Sequence, residues 1–183
     1  MLTLLSLLGC GPQGLEARVA QLEQRVTAQD ELIADLSDRL KSKREKEEEQ
    51  IVGKNASLAV TEWVQGEDTL EAHEATLLVF FEEWCPHCKR EVPKLQQKVD
   101  TYGEQGFGII GVTQLTRNTP PAKMQKFLEG NGVKFAIAKD DGTMSKHYGV
   151  SGVPAAAMVK DGKVVWRGHP ANLNDAMIGA TLR

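Results

Sequence analysis

The sequence predicts an α/β domain, a mixed central sheet with helices on both faces, preceded by an N-terminal coiled-coil helix. Three observations carry that prediction. From Ser57 onward, apolar runs of strand length alternate with helical segments, the pattern of a layered α/β domain. Near the C-terminus two β-rich runs flank Lys160-Asp161-Gly162-Lys163, which is a hairpin signal. Upstream of both, residues 15–40 carry a heptad of apolar residues.

Taken in order, residues 1–10 read Met-Leu-Thr-Leu-Leu-Ser-Leu-Leu-Gly-Cys. They are similar to a truncated bacterial lipoprotein-type signal that lacks a basic n-region. The Leu-x-Gly-Cys box implies cleavage before Cys10 and lipidation of that cysteine. The heptad follows. Val19, Val26, Ile33 and Leu40 take its a positions; Leu15, Leu22, Gln29 and Leu36 take d. β-Branched residues at a with Leu at d favour parallel two-stranded pairing, and a trimer stays open because one d residue is polar. Arg18 and Arg25 at g face Glu23 and Asp30 at e of a partner strand, giving opposite-charge pairs. Residues 41–54 form a charged linker with no apolar seam. The globular domain then occupies residues 55–183.

Within it, Leu77 to Phe81 is an apolar run of strand length. A helix is expected from Pro86 to about Tyr102, because Pro fits the first helical turn. Phe107 to Thr113 reads as a strand. Pro121 to Glu129 reads as a helix closed by Gly130, and Val133 to Ala138 as a short strand before a turn at Asp140-Asp141-Gly142. Ala155 to Val159 and Val164 to Trp166 are the two hairpin strands, and a short helix is expected from Asn172.

Composition limits the function. Formal charge is −3, so there is no basic footprint for nucleic acid. No apolar run approaches the roughly 20 residues of a membrane-spanning helix, which leaves a lipid anchor as the expected link to a membrane. The chain has three cysteines, Cys10, Cys85 and Cys88, too few for a disulfide-stapled framework. A tetrahedral metal site wants four ligands, and His73, His87, His147 and His169 form no ligand-spaced cluster, so no metal is expected.

The chemistry concentrates at Trp84-Cys85-Pro86-His87-Cys88, where an apolar strand gives way to a helix. Unpaired N–H groups and the positive dipole end at a helix N-terminus favour thiolate over thiol. Two intervening residues bring the second sulfur within disulfide reach. Cys85 is therefore expected to be the exposed nucleophile and Cys88 the resolving thiol. An imidazole at His87 is expected to donate to, or pair with, the Cys85 thiolate. The expected cofactor is none beyond this redox-active disulfide.

These residues, together with Gly149-Val150-Ser151-Gly152-Val153-Pro154, Lys89 to Leu95 and Asp161 to Pro170, resemble the thioredoxin superfamily. The likeness is nearest to its TlpA/ResA-type envelope proteins, with a DsbA-like Cys-Pro-His-Cys centre. The resemblance implies a thioredoxin fold, a cis Val153–Pro154 bond facing the cysteines, and disulfide exchange with client proteins and a redox partner in the bacterial envelope. Trp84 and Pro86 would support the centre. Thioredoxins bury an acid six residues before the first cysteine, and Val79 stands there. Glu82 and Glu83 remain as candidate proton relays, and strand alternation does not decide which one points inward. The direction of electron flow is left open. The competing readings are a peroxiredoxin-like thiol peroxidase, for which Gly111 to Leu115 offers no cysteine, and a non-enzymatic coiled-coil scaffold.

Overall fold

The computed structural model of the chain describes residues 12–183; the lipoprotein-type segment and Cys10 lie outside the described residues. The chain divides into two units after Lys46. In the first, one helix, α1 (Pro12–Glu49), covers the heptad and runs on through most of the charged linker. Its apolar stripe faces solvent: the apolar a and d residues from Leu15 to Leu40 are between 46 % and 68 % exposed. Leu32, at a g position, is exposed beside them.

The second unit is built on a six-stranded sheet. Its strands are β1 (Glu62–Gln65), β2 (Ala75–Phe80), β3 (Phe107–Thr113), β4 (Ala136–Lys139), β5 (Ala155–Lys160) and β6 (Lys163–Gly168). They lie in the order β1-β4-β3-β2-β5-β6. β2, β3 and β4 are parallel, while β1, β5 and β6 run antiparallel to their neighbours. Every residue of β2 and β3 is buried, as expected of central strands covered on both faces.

Alternation along β2 divides the core in two. Leu77 and Val79 pack on one face with Val92 and Leu95 of α2 (Pro86–Tyr102), Met124 and Leu128 of α3 (Pro121–Gly130), and Ile178 of α5 (Asp175–Thr181). Leu78 and Phe80 pack on the other with Ile51, Tyr148 and Met144 of α4 (Thr143–His147). The expected mixed sheet with helices on both faces is thus present.

Four details differ from the sequence expectations. Strand β1 was not anticipated; its Gln65 side chain donates to the carbonyls of Val133 and Phe135, both at 3.0 Å. The strand β4 starts at Ala136 rather than Val133. A helix, α4, follows the Asp140 turn because the buried Asp140 carboxylate accepts from the N–H groups of Gly142, Met144 and Ser145. The last helix begins at Asp175, where Asn174 accepts from Met177 N at 2.9 Å; Pro170–Asn172 is a single 3₁₀ turn.

Packing of the second unit also begins inside the stretch expected as linker. Ile51 is 7 % exposed. Gly53 N donates to Val164 O and Ala56 N to Gly162 O, each at 2.8 Å, so this stretch is fixed along β6.

Candidate active site

Strand β2 delivers the chain to Phe81 and a tight turn, and Cys85 becomes the residue that opens α2. Its backbone is extended (φ −78°, ψ 120°), Pro86 follows at the first helical position, and Lys89 N returns to Cys85 O at 3.1 Å. Cys88 lies within the first turn, fully buried. The two thiols are unlinked in the structure. Burial pushes the Cys88 thiol up to about 12. A hydrogen bond from the Glu82 backbone opposes that shift, while the Cys85 neighbour and the Glu82 carboxylate add to it.

The expectation of an exposed Cys85 needs correction. Only 5 % of it is accessible, because the loop before β5 covers it: Cys85 Sγ donates to Val153 O at 3.4 Å. What remains accessible opens into a cavity of about 360 Å³ lined by Phe81, Glu82, Trp84, Val150 and Val153 among others. The Val153–Pro154 bond is cis.

His87 is corrected as well. Its Nδ1 accepts from the Arg90 guanidinium at 2.8 Å. The two residues share a face of α2 three positions apart, so the imidazole is turned toward Arg90. It makes no hydrogen bond to Cys85.

The two adjacent acids, both buried, have separate surroundings. Glu82 faces the cysteines' cavity, and its carboxylate accepts from Gln114 N at 2.9 Å and Thr116 N at 3.0 Å. Glu83 faces a second hollow, with Lys123 Nζ at 3.0 Å and Lys89 Nζ at 3.6 Å. Geometry thus selects Glu82 as the acid on the cysteine side.

Three features of the site lay outside the sequence reading. One is the loop after β3. Leu115, Arg117 and Asn118 are left-handed there although none is glycine (φ 53°, 56° and 54°), at a cost on the order of 1 kcal/mol or more each. Glu82 fixes this loop from below. Trp84 fixes it from the side: its indole N–H donates to Thr116 Oγ1 at 2.9 Å, and the Arg117 guanidinium stacks 3.6 Å from the ring centre.

The second is Arg167, which is 8 % exposed. Its guanidinium donates to Tyr148 O (2.9 Å), Gly168 O (3.1 Å), Ala156 O (3.3 Å) and Gly149 O (3.4 Å), pinning both ends of the loop that carries Val153 and Pro154. Burial lowers its pKa, and Glu48 at 4.0 Å partly restores it. The third is Tyr148, fully buried, whose hydroxyl donates to Ser57 O and accepts from Ser57 N, both at 2.8 Å. A charged residue directly after the apolar run Val164–Trp166 was the available signal for Arg167.

Comparison with known proteins agrees with this fold. The sequence pattern of the AhpC/TSA family matches residues 53–167. The thiol-disulfide oxidoreductase ResA of Halalkalibacterium halodurans is 28 % identical over 131 residues, spanning 69 % of this chain and 72 % of that protein. The protein of the same name from Bacillus thuringiensis subsp. konkukian is 30 % identical over 126 residues, spanning 66 % and 70 %. Among solved structures, a thiol-disulfide isomerase from Corynebacterium glutamicum shares the fold, with a TM-score of 0.60 at 23 % identity over 71 % of this chain and 94 % of that one.

Proposed function

The chain belongs to the AhpC/TSA family and is a thioredoxin-like thiol–disulfide oxidoreductase, and from that premise we propose that it exchanges disulfides with proteins of the bacterial cell envelope through Cys85 and Cys88. The observation that carries the proposal is the pair of thiols at the start of α2, Cys85 with a small opening into the cavity and Cys88 fully buried behind it, beside the Val153–Pro154 loop.

In the reducing direction, the Cys85 thiolate attacks a client disulfide. The client's S–S bond breaks, and its second sulfur leaves as a thiolate. A mixed disulfide between Cys85 and the client remains. Cys88 must then lose its proton. Burial favours its neutral form, so a neighbouring base is needed. Glu82 is that base: it lines the cavity and is close enough to oppose Cys88 ionisation electrostatically. The Cys88 thiolate attacks Cys85 Sγ, the mixed disulfide breaks and the client's remaining thiolate departs. Two electrons have then passed from the Cys85/Cys88 dithiol to the client. The same steps in reverse oxidise a client dithiol, and the relative potentials set the direction.

Two further parts of the reading concern placement. The exposed heptad of α1 supports pairing with a second copy of the chain. The Leu7-Leu8-Gly9-Cys10 box supports a lipid anchor at Cys10, with the redox site facing the periplasm; loss of radiolabelled fatty acid in Cys10→Ser checks it, and label retained in that variant overturns it.

The redox assignment is tested by substituting each cysteine. Cys85→Ser should abolish exchange, whereas Cys88→Ser should accumulate mixed disulfides that non-reducing electrophoresis resolves, because attack survives and resolution does not. Undiminished exchange in Cys85→Ser would remove the centre from the mechanism.

A further inference from the structure

The chain is acidic as a whole, with a formal charge of −3, yet the exposed charge around Cys85 is positive. Lys89 and Arg90 stand on the first turns of α2. Arg117 lies on the face of Trp84, the residue before Cys85. Lys123 and Lys126 of α3 share a hollow with Lys89, Phe127, Asn131 and Glu83, which lies two residues before Cys85. Each of these cations is thus tied, by sequence or by contact, to a residue within four positions of the nucleophile.

The carboxylates of the same region are already engaged. Glu82 accepts two backbone N–H groups. Glu83 is buried between Lys89 and Lys123, its Oε2 out of hydrogen-bonding geometry. Glu91 is paired with Lys94 at 3.0 Å. Among the described residues, Arg117 and Lys126 are exposed and have no carboxylate partner. The loop segment Gly149–Pro154, which lines the cysteines' cavity, carries no charged residue. Glu82 and Trp84 both hydrogen-bond Thr116, the residue before Arg117, and so hold the loop that carries it.

We propose that Lys89, Arg90, Arg117, Lys123 and Lys126 form a docking collar for clients whose reactive cysteine sits in a segment rich in Asp and Glu. This deepens the disulfide-exchange reading and rests on it. Stacking on Trp84 leaves the edge of the Arg117 guanidinium free to grip a carboxylate with two parallel N–H donors. The lysines supply longer-range attraction, which raises encounter rates with acidic chains and repels basic ones. Because the collar is exposed, the preference must weaken with salt as screening shortens to a few ångströms.

The test uses the full chain and three disulfides. Two are peptides of equal length with one cysteine joined to the same chromogenic thiol, flanked by Glu and Ser in one and by Lys and Ser in the other. The third is the neutral hydroxyethyl disulfide. Each peptide rate is divided by its rate with dithiothreitol, which removes differences in intrinsic reactivity. At about 20 mM salt, kcat/KM for the acidic peptide should exceed that for the basic one about tenfold, and the ratio should fall toward one at about 0.5 M. The double variant Arg117→Glu with Lys126→Glu should bring the low-salt ratio below one. A low-salt ratio under about threefold, or a ratio that the double variant leaves in place, overturns the collar. Turnover of hydroxyethyl disulfide by the native chain separates the two readings: if it is absent the redox assignment fails, and if it is present with no peptide preference only the collar fails.

Discussion

The apolar residues of α1 and those of β2 are equally plain in the sequence, and they meet opposite fates. Leu77, Leu78 and Val79 are wholly buried, while Leu15, Ile33 and Leu40 are each more than 60 % exposed. A strand with period two presents two apolar faces, and this chain covers both from its own helices and loops. A stripe with period 3.5 presents one narrow seam that a second helix of the same kind must cover. The difference separates what folds alone from what awaits association. The second unit also pairs its buried charges internally, Glu83 with Lys123 and Arg167 with backbone carbonyls, whereas the charges of α1 are arranged for a partner strand.

The sharpest way to break that self-sufficiency is at Arg167. Its guanidinium serves four carbonyls, two in the loop leading to Pro154 and two at the ends of β5 and β6. Arg167→Met keeps the apolar stem and removes every donor. Each buried carbonyl left without a partner costs about 1–3 kcal/mol, and some of these keep their ladder bonds. A net loss of about 3–5 kcal/mol is expected, read as a lowered midpoint in urea unfolding with the slope unchanged. Arg167→Lys should recover less than half of it, because one ammonium cannot span the same acceptors. A midpoint within error of the native value would show that the loop before β5 stands without Arg167.

Next in size is the effect of Glu82. Glu82→Gln keeps the side-chain volume and one acceptor oxygen but cannot take a proton from Cys88. Loss of a positioned base slows proton transfer by about 10²-fold or more. The expected signature is a mixed disulfide that persists about 10²-fold longer, while the attack of Cys85 on a small disulfide changes far less. Equal slowing of both steps would assign Glu82 to holding Gln114 and Thr116 rather than to proton transfer.

These two residues also show where sequence reading stops. The placing of Cys85 and Cys88 was legible in local spacing, a Cys-x-x-Cys at a strand–helix junction, while the cis bond before Pro154 came only through the family resemblance. Choosing between Glu82 and Glu83 needed the path of the chain beyond β2. The ladder persists to Phe81 N, which donates to Val112 O, and the turn that follows sets Glu82 under the loop from Gln114 to Thr116. Alternation has no authority in such a turn. Helix α4 was missed because its cap, Asp140, lies in what local composition marks as a turn, and Asp140 acts through three N–H groups that exist only once the helix has formed. Arg167 was missed because a hairpin near a chain end reads as an edge, where a charge is ordinary. His87 was placed correctly in sequence and wrongly in space, since its nearest strong donor is Arg90 one turn along the same helix. Motifs fix which atoms react, and long-range pairing fixes what surrounds them.

The smallest expected effect tests the other side of the comparison, the claim that α1 is built for a second strand. An isolated helix of this kind is marginal in water, and the exposed a and d residues supply the reason to associate. Light scattering of residues 12–183 should report a dimer, or a trimer if Gln29 does not hold the stalk to two strands. The chain from Glu47 to Arg183 retains Ile51 and Glu48 and should be monomeric, since its core is closed by its own residues. Within the stalk, Arg18 and Glu23 fall at g and e, so a parallel dimer makes the pair twice. Exposed pairs of this kind contribute about 0.3–0.5 kcal/mol each, and reversing one charge replaces attraction by repulsion of similar size. Glu23→Lys should therefore raise the dissociation constant by about 10- to 30-fold, and adding Arg18→Glu to the same chain should restore it. Restoration distinguishes a parallel g–e′ pairing from a general loss of helix, which a second charge change would not repair. A monomer at tens of micromolar for residues 12–183 would instead make α1 a lone helix, and the apolar stripe would need another explanation.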